Sequence, residues 1–143
     1  MTDPGSQITA LQNTRLFGEL SAEDLQDVLR CGQPVSFEPE QPIVEEGDVA
    51  DGMYVITGGE ARVDVGGRFH ILKAGDFFGE MALIAPGRRM ATVKAVDAVE
   101  ALRIPADDFQ SFLMEHPSLA LSMLKAIVLR LREVEQRIDA WMA

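Results

Sequence analysis

The chain has 143 residues, 47% of them hydrophobic, which is enough for one domain with a single core. Its 13 basic and 23 acidic residues give a formal net charge of −10, which argues against a nucleic-acid surface, because phosphate backbones are bound through clustered Lys and Arg. Cys31 is the only cysteine, so an internal disulfide and a thiolate metal cluster are excluded.

The first 33 residues are predicted to form an N-terminal helical segment. After a loose start, Ser21 supplies an N-cap hydroxyl and Asp24 a carboxylate three residues later; the apolar stripe that follows ends at Cys31-Gly32. Residues 1–6 carry neither a basic stretch nor an apolar run, and no apolar stretch elsewhere is long enough to cross a bilayer. We therefore expect a cytoplasmic protein without a membrane segment in this chain.

Residues 34–104 are predicted to form an antiparallel β jelly-roll barrel. Short alternating runs, such as residues 62–65 and 92–96, are separated by glycine turns at 58–59, 66–67 and 75–76. Regular short strands with glycine turns are typical of this architecture.

The most informative segment of the barrel is residues 78–91, which place a glycine, a carboxylate and an arginine close together in sequence. Gly79 allows the backbone to approach a ligand, and the next residues suit one helical turn whose N–H groups can face an anion. Glu80 can accept a hydrogen bond from a sugar hydroxyl, and the planar fork of Arg89 matches two phosphate oxygens. The segment predicts a binding site for the phosphate ester of a sugar and no catalytic residues. Taken singly, Gly-Glu is also typical of a helix start and Arg-Arg of a solvated loop.

Residues 105–143 are predicted to form two C-terminal helices. Pro105 opens the first, and His116-Pro117 marks its end. The second runs from about Ser118 to Trp141, and its apolar residues repeat at steps of four and three: Ala120, Leu124, Ile127, Leu131, Val134, Ile138 and Trp141. This pattern favours a homodimer seam along residues 118–142, and the alternative is a helix that packs onto its own barrel.

The sequence Phe-Gly-Glu-Met-Ala-Leu-Ile at residues 78–84, the Pro86-Gly87 turn and the run from Arg89 to Val93 resemble the signature of cyclic nucleotide-binding domains. Such domains occur in protein kinase A regulatory subunits, cyclic nucleotide-gated channels and the bacterial catabolite activator family. Gly47-Asp48 and residues 53–63 extend the likeness. The resemblance implies an α+β fold in a single cyclic nucleotide-binding domain over residues 1–143, with the jelly-roll barrel flanked by the N-terminal helical segment and the C-terminal helices.

The resemblance also implies ligand contacts. Arg89 is expected to bind the cyclic phosphate together with backbone amides near Ala82, Met90 and Ala91, whereas Gly79 and Glu80 are expected at the ribose. Arg88 is left as a spare, solvated charge. Expected at the base are Val63, Phe69, Phe78 and Met81 of the barrel and Val134 and Glu135 of the last helix, which would act as a lid, a dimerisation helix or both.

Three of these positions bear on recognition of the base. Val134 and Glu135 stand where catabolite activators carry adenine-contacting hydroxyls, so this sequence departs from that pattern. Guanine-preferring relatives tend to carry Thr or Ser directly after the phosphate arginine, whereas Met90 offers no useful donor or acceptor. We therefore expect cAMP to be preferred over cGMP.

The sequence as a whole predicts a regulatory nucleotide-binding module without enzymatic activity, cofactor or metal. A metal-dependent enzyme on a similar barrel needs several histidines, and only His70 and His116 are present. Two alternatives stay open at this stage. One is a dimerisation or interaction module on the same fold with an empty or degenerate pocket. The other is the sensor half of a catabolite-activator-type transcription factor, whose helix-turn-helix is not in this sequence.

Overall fold

The computed structural model describes residues 4–14, 16–18, 20–83 and 87–142, which form helices at both ends and strands between them. The helices are α1 Pro4–Gln12, α2 Ala22–Cys31, α3 Ala106–Glu115 and α4 Pro117–Met142, and a 3-10 turn spans Glu80–Leu83. The strands are β1 Gln33–Phe37, β2 Pro42–Val44, β3 Val49–Ala50, β4 Gly52–Gly58, β5 Ala61–Val65, β6 Arg68–Leu72, β7 Phe77–Phe78, β8 Gly87–Arg88, β9 Thr92–Ala95 and β10 Val99–Pro105.

The strands form two four-stranded sheets and one short ribbon. The first sheet has the order β1-β10-β4-β7, the second β2-β9-β5-β6, and β3 pairs with β8. All of these pairings are antiparallel. The predicted α+β class, with an antiparallel jelly-roll flanked by helices, is confirmed.

Two hydrophobic clusters lie on opposite faces of the first sheet. Tyr54 and Ile56 of β4 pack against β5 and β9 of the second sheet, whereas Met53 and Val55 pack against the helices. β10 divides its residues in the same way. Because β4 is covered on both faces, residues 52–56 are all buried, which explains why this strand reads as a nearly continuous apolar run.

The α2 prediction is confirmed in detail. The Ser21 hydroxyl oxygen accepts a hydrogen bond from the backbone N–H of Asp24 at 3.1 Å, and Leu25 and Val28 are buried. The helix ends at Cys31, and the Gly32 N–H donates to the carbonyls of Val28 and Leu29.

The loose start predicted before α2 was wrong, because residues 4–12 form α1. This segment has no acidic residue in its first turn and no basic residue in its last, so it carries few local helix signals. Its Leu11 is fully buried in the cluster beneath the first sheet, with Leu16 and Phe17 beside it. The helix is therefore stabilised by tertiary packing, which local sequence patterns do not report.

The C-terminal helices meet at His116, whose backbone N–H caps α3 by donating to the carbonyls of Phe112 and Leu113. In α4, Leu119 and Met123 are buried, but Leu124, Ile127 and Leu131 are 46–57% exposed. Among the α4 side chains that the structure describes, those after Met123 are exposed, and the middle of the predicted seam faces outward. No single described helix is long and apolar enough to span a bilayer, although the bent pair Ala106–Glu115 and Pro117–Glu133 passes that test of length and composition together.

Candidate ligand site

A cavity of about 320 Å³ lies beside the 3-10 turn. Residues of the short strands β3, β7 and β8 line it, together with residues of β2, β5 and β9 in the second sheet. Of the twelve ligand-contact residues predicted from the sequence, eight line it: Val63, Phe78, Gly79, Glu80, Ala82, Arg89, Met90 and Ala91. The lining is completed by Val44, Ala50, Gly87, Arg88 and Val93. The fold therefore brings the predicted phosphate and ribose residues to one place.

The other four predicted residues are not placed in the cavity. Phe69 pairs with Asp64 in the β5–β6 hairpin, and because side chains alternate along a strand it lies on the face opposite to Val63. Phe69 is 58% exposed and its ring centroid lies 4.8 Å from Cζ of Arg62, and this residue does not line the cavity to which a base contact was predicted. Glu135 is exposed on α4 and does not line the cavity. The side chains of Met81 and Val134 lie outside the described part of the structure.

Arg89 is the buried cation of the site. Its backbone N–H donates to the carbonyl of Asp48 at 2.8 Å, and its carbonyl accepts from the N–H of Gly47 at 2.9 Å. The side chain, in a residue that is 8% exposed, donates from Nη2 to the carbonyl of Gly52 at 2.9 Å. The Gly47-Asp48 pair, noted in the sequence as part of the resemblance, thus fixes the backbone of the arginine.

Gly79 is required by this arrangement for two reasons. Its φ is +81°, in the left-handed region that favours glycine. A Cβ at this position would also lie 2.5 Å from Nη1 of Arg89 and 3.1 Å from the carbonyl oxygen of Gly52. The sequence predicted that Gly79 makes room for a ligand, and the structure shows that it makes room for the guanidinium.

The charge of Arg89 is only partly compensated by its surroundings. Burial lowers the pKa of the guanidinium from its ordinary value, while Tyr54 and Asp51 act in the opposite direction. Asp51 lies 3.9 Å from Nη2 of Arg89 but 3.0 Å from Nη2 of Arg103, and its side chain is 65% exposed. Arg89 remains protonated, since arginine is not deprotonated in proteins. An anion in the cavity would therefore be electrostatically favoured.

Glu80 begins the 3-10 turn on the wall of the same cavity and is 9% exposed. A buried carboxylate can accept hydrogen bonds but repels a phosphate, so it suits a hydroxyl-bearing part of a ligand. The N–H of Ala82 donates to the carbonyl of Gly79 at 3.1 Å. That amide therefore closes the turn in this structure and is not directed at an anion, in contrast to its predicted role.

Arg88 differs from Arg89 in its surroundings, as the sequence predicted. It is exposed at the cavity mouth, and its Nη1 donates to the carbonyl of Gly47 at 3.0 Å. Met90, the next residue after the buried arginine, is 77% exposed at the same mouth.

Several residues that hold the site were missed in the sequence. Tyr54 stacks on Phe78 with 5.1 Å between ring centroids and lies 5.9 Å from Cζ of Arg89. Asp51 and the Gly52 carbonyl contact the guanidinium directly, as described above. In the sequence, these two residues could be noticed only from their position directly before the apolar run of β4, because residue type does not show which backbone carbonyl accepts a hydrogen bond.

Comparison with known proteins adds an independent observation. The family model described as cyclic nucleotide-binding domain matches residues 34–116, which is more than half of the chain. Among curated proteins, a cGMP-dependent protein kinase of Toxoplasma gondii is 42% identical over 81 residues, covering 55% of this chain and 8% of the kinase.

Solved structures resemble the chain over a longer stretch. The catabolite activator protein of Thermus thermophilus has a TM-score of 0.79 at 28% identity and covers 88% of this chain and 62% of its own. The regulatory domain of Toxoplasma gondii PKA, solved with cAMP, has a TM-score of 0.67 at 28% identity and covers 78% of this chain and 46% of its own. The chain thus corresponds to only a part of the kinase and to roughly half of each of these two solved chains.

Proposed function

Because the chain belongs to the cyclic nucleotide-binding domain family, we propose that it is a regulatory module that holds cAMP in the cavity beside Arg89 and passes binding on through its C-terminal helices. The family itself identifies the chain as a cyclic nucleotide-binding module of the kinase and catabolite-activator type.

The observation that carries the proposal is a buried guanidinium and a buried carboxylate on the wall of one cavity. Arg89 would pair with the charged oxygens of the cyclic phosphate, and Glu80 would accept a hydrogen bond from the ribose hydroxyl. The two opposite charges orient the ligand, because reversing it would bring the phosphate against the carboxylate. The cavity volume of about 320 Å³ lies at the small end of the roughly 300–1,000 Å³ usual for small-molecule sites.

The proposed preference for cAMP depends on Met90. The names of the relatives include both nucleotides, so they do not decide the question. Met90 lies at the cavity mouth and has no group that can pair with the exocyclic amine of guanine. The apolar Val63 and Phe78 add surface for a base without selecting one.

The proposed response of the helices follows a chain of contacts. The 3-10 turn packs against α3, and α3 packs against α4. No described residue of α3 or α4 lines the cavity, so α4 has to move if it is to cover the base as a lid. A ligand that draws in Glu80 and its turn would shift α3 and, with it, the start of α4.

A homodimer through α4 belongs to the same proposal. The exposed apolar residues of this helix would be covered by a second copy: Leu121, Leu124, Ile127, Val128, Leu129 and Leu131. This surface also favours a second candidate function, a dimerisation or interaction module that does not depend on nucleotide. The larger protein would then supply the output, as in a transcription factor, kinase or channel.

We further place the protein in the cytoplasm and assign it no catalytic activity of its own. A single free cysteine fits a reducing compartment. The cavity holds a charge pair suited to binding, and the proposal needs no bond-breaking step.

The test is a calorimetric titration of the purified chain with cAMP and, separately, cGMP. The proposal expects saturable binding of one nucleotide per chain, with cAMP the tighter of the two. An absence of saturable binding with both nucleotides would favour the nucleotide-independent module.

A further inference from the structure

Away from the ligand cavity, two carboxylates of α2 and the histidine between α3 and α4 converge. Nδ1 of His116 lies 3.3 Å from Oδ1 of Asp24, and its Nε2 lies 3.7 Å from Oδ2 of Asp27. Each of the three residues offers one ligand atom, and these atoms lie within 4.8 Å of one another. These residues show no metal-binding spacing in the sequence, because only the fold brings His116 to Asp24 and Asp27.

Local structure holds these side chains in place. Asp24 and Asp27 are three residues apart on α2 and so lie on one face of the helix. The ring of His116 stacks on Phe112 with 4.1 Å between centroids and an interplanar angle of 25°. The three side chains are 20–28% exposed, so an ion could enter from solvent and be largely enclosed once bound.

The charges at this cluster call for a cation. A neutral imidazole has one N–H, so it can donate to one of the two carboxylates while the other faces a lone pair. A second proton on the ring removes this conflict, and so does a metal ion bound to one of the two ring nitrogens.

The wider surroundings are acidic as well. The pKa of the Cys31 thiol is raised by burial and then by Asp108, Asp27 and Glu115, so acidic groups of α2 and α3 act on the same region. Among the described residues of α2, Arg30 opposes them by pairing with Oδ1 of Asp27. The first two turns of α4 carry no charged residue before Lys125.

We propose that Asp24, Asp27 and His116 bind a divalent transition-metal ion of the zinc class, which fastens α2 to the junction of α3 and α4. An imidazole nitrogen with carboxylate oxygens is a ligand set that zinc accepts, whereas magnesium and calcium prefer oxygen alone. Tetrahedral zinc with bonds of about 2.0–2.1 Å separates its ligand atoms by roughly 3.3 Å. A zinc ion binds one ring nitrogen of His116, so the carboxylate beside that nitrogen is already in place, whereas the other carboxylate has to swing toward the ion; water would be the fourth ligand.

The test is a calorimetric titration of zinc alone into the 143-residue chain after treatment with a chelator. We expect one saturable site, and we expect Asp24→Asn and His116→Gln each to weaken it at least tenfold. His70→Gln is the matched control, since this second histidine is exposed on β6, and it should leave the affinity unchanged. Arg30→Gln should tighten binding, because it removes the cation that competes for Asp27. Circular dichroism verifies that each variant is folded, and Asp27→Asn replaces Asp24→Asn if the latter is not.

Two results would overturn the proposal. One is a wild-type chain without saturable zinc binding, and the other is an affinity that His116→Gln and His70→Gln change equally. Hydrogen exchange tests the bridging role, since zinc should slow exchange in α2 and around residues 112–119 together. Slowing confined to either element alone would contradict a link between them.

Discussion

Arg89 can lie inside an acidic protein because its neighbours make room for the guanidinium and satisfy part of its hydrogen bonding. Gly79 leaves the space that a Cβ would fill, and the carbonyl of Gly52 accepts one N–H. Tyr54 lies near the cation, and Asp51 divides its charge between Arg89 and Arg103. In the proposed function, the remaining hydrogen-bonding capacity of the fork would bind the phosphate.

Replacing Arg89 tests whether its guanidinium binds the phosphate. Arg89→Ala should weaken cAMP binding at least tenfold, about 1.4 kcal/mol, because the charge-assisted bonds to phosphate are lost. Some stability should be lost as well, on the order of 1–3 kcal/mol, since the Gly52 carbonyl loses its partner. Calorimetric titration and a thermal melt measure the two effects.

The control is Arg88→Ala, which removes the same charge one residue earlier from an exposed position. It should change the affinity much less than Arg89→Ala. Equal losses in the two variants would mean that general electrostatics attracts the nucleotide and that Arg89 has no special contact.

Base selectivity is assigned to the following residue. Met90→Thr introduces a hydroxyl at the cavity mouth, which should favour cGMP relative to cAMP because it can pair with the guanine amine. A competition assay with both nucleotides measures the ratio. A ratio identical to that of the wild type would show that selectivity resides elsewhere.

Among the helices and strands, the sequence predicted those features that neighbouring residues determine. The Ser21 cap, the end of α2 at Cys31 and the helical turn after Gly79 were all predicted, because each depends on neighbouring residues. α1 was missed, since packing of Leu11 stabilises it. The face on which Phe69 lies, opposite to Val63, depends on its pairing with Asp64, which the sequence pattern did not specify.

The site was predictable to a similar extent. Its charged residues lie within one short segment and were singled out from the chemistry of that segment as well as from the resemblance. The parts supplied by distant strands, such as the Gly52 carbonyl and Asp51, come from the fold and were not identified. The amide of Ala82 was assigned to the ligand, but the 3-10 turn uses it.

The helical response is tested by hydrogen exchange. Binding of cAMP should slow exchange in the 3-10 turn, in α3 and in the first turns of α4, because these elements contact one another in series. Arg89→Ala at the same nucleotide concentration should show little slowing. Protection limited to β8 and β9, which line the cavity directly, would contradict transmission to the helices.

At the scale of the whole molecule, one sheet serves two cores. β4 and β10 pack on the second sheet with one face and on the helices with the other, so the cavity wall and the helical layer share strands. Among the described residues, the exposed apolar side chains of α4 form one surface that a single chain leaves uncovered. The net charge of −10 means that attraction of a nucleotide depends on local geometry.

The uncovered face predicts a dimer. Size-exclusion chromatography with light scattering should give twice the mass of one chain, and Leu124→Glu should give a monomer, because it places a charge in the apolar seam. Met114→Glu is the control, since it places the same charge on an apolar residue that is 84% exposed on α3, outside the proposed seam. A wild-type chain that is monomeric with and without cAMP would contradict the seam.

A crystal structure of the chain with cAMP shows whether Arg89 neutralises the cyclic phosphate inside this cavity. We expect the guanidinium within about 2.7–2.9 Å of phosphate oxygens and Glu80 at the ribose hydroxyl. A nucleotide bound elsewhere, or an Arg89 side chain turned away from the phosphate into solvent, would contradict it.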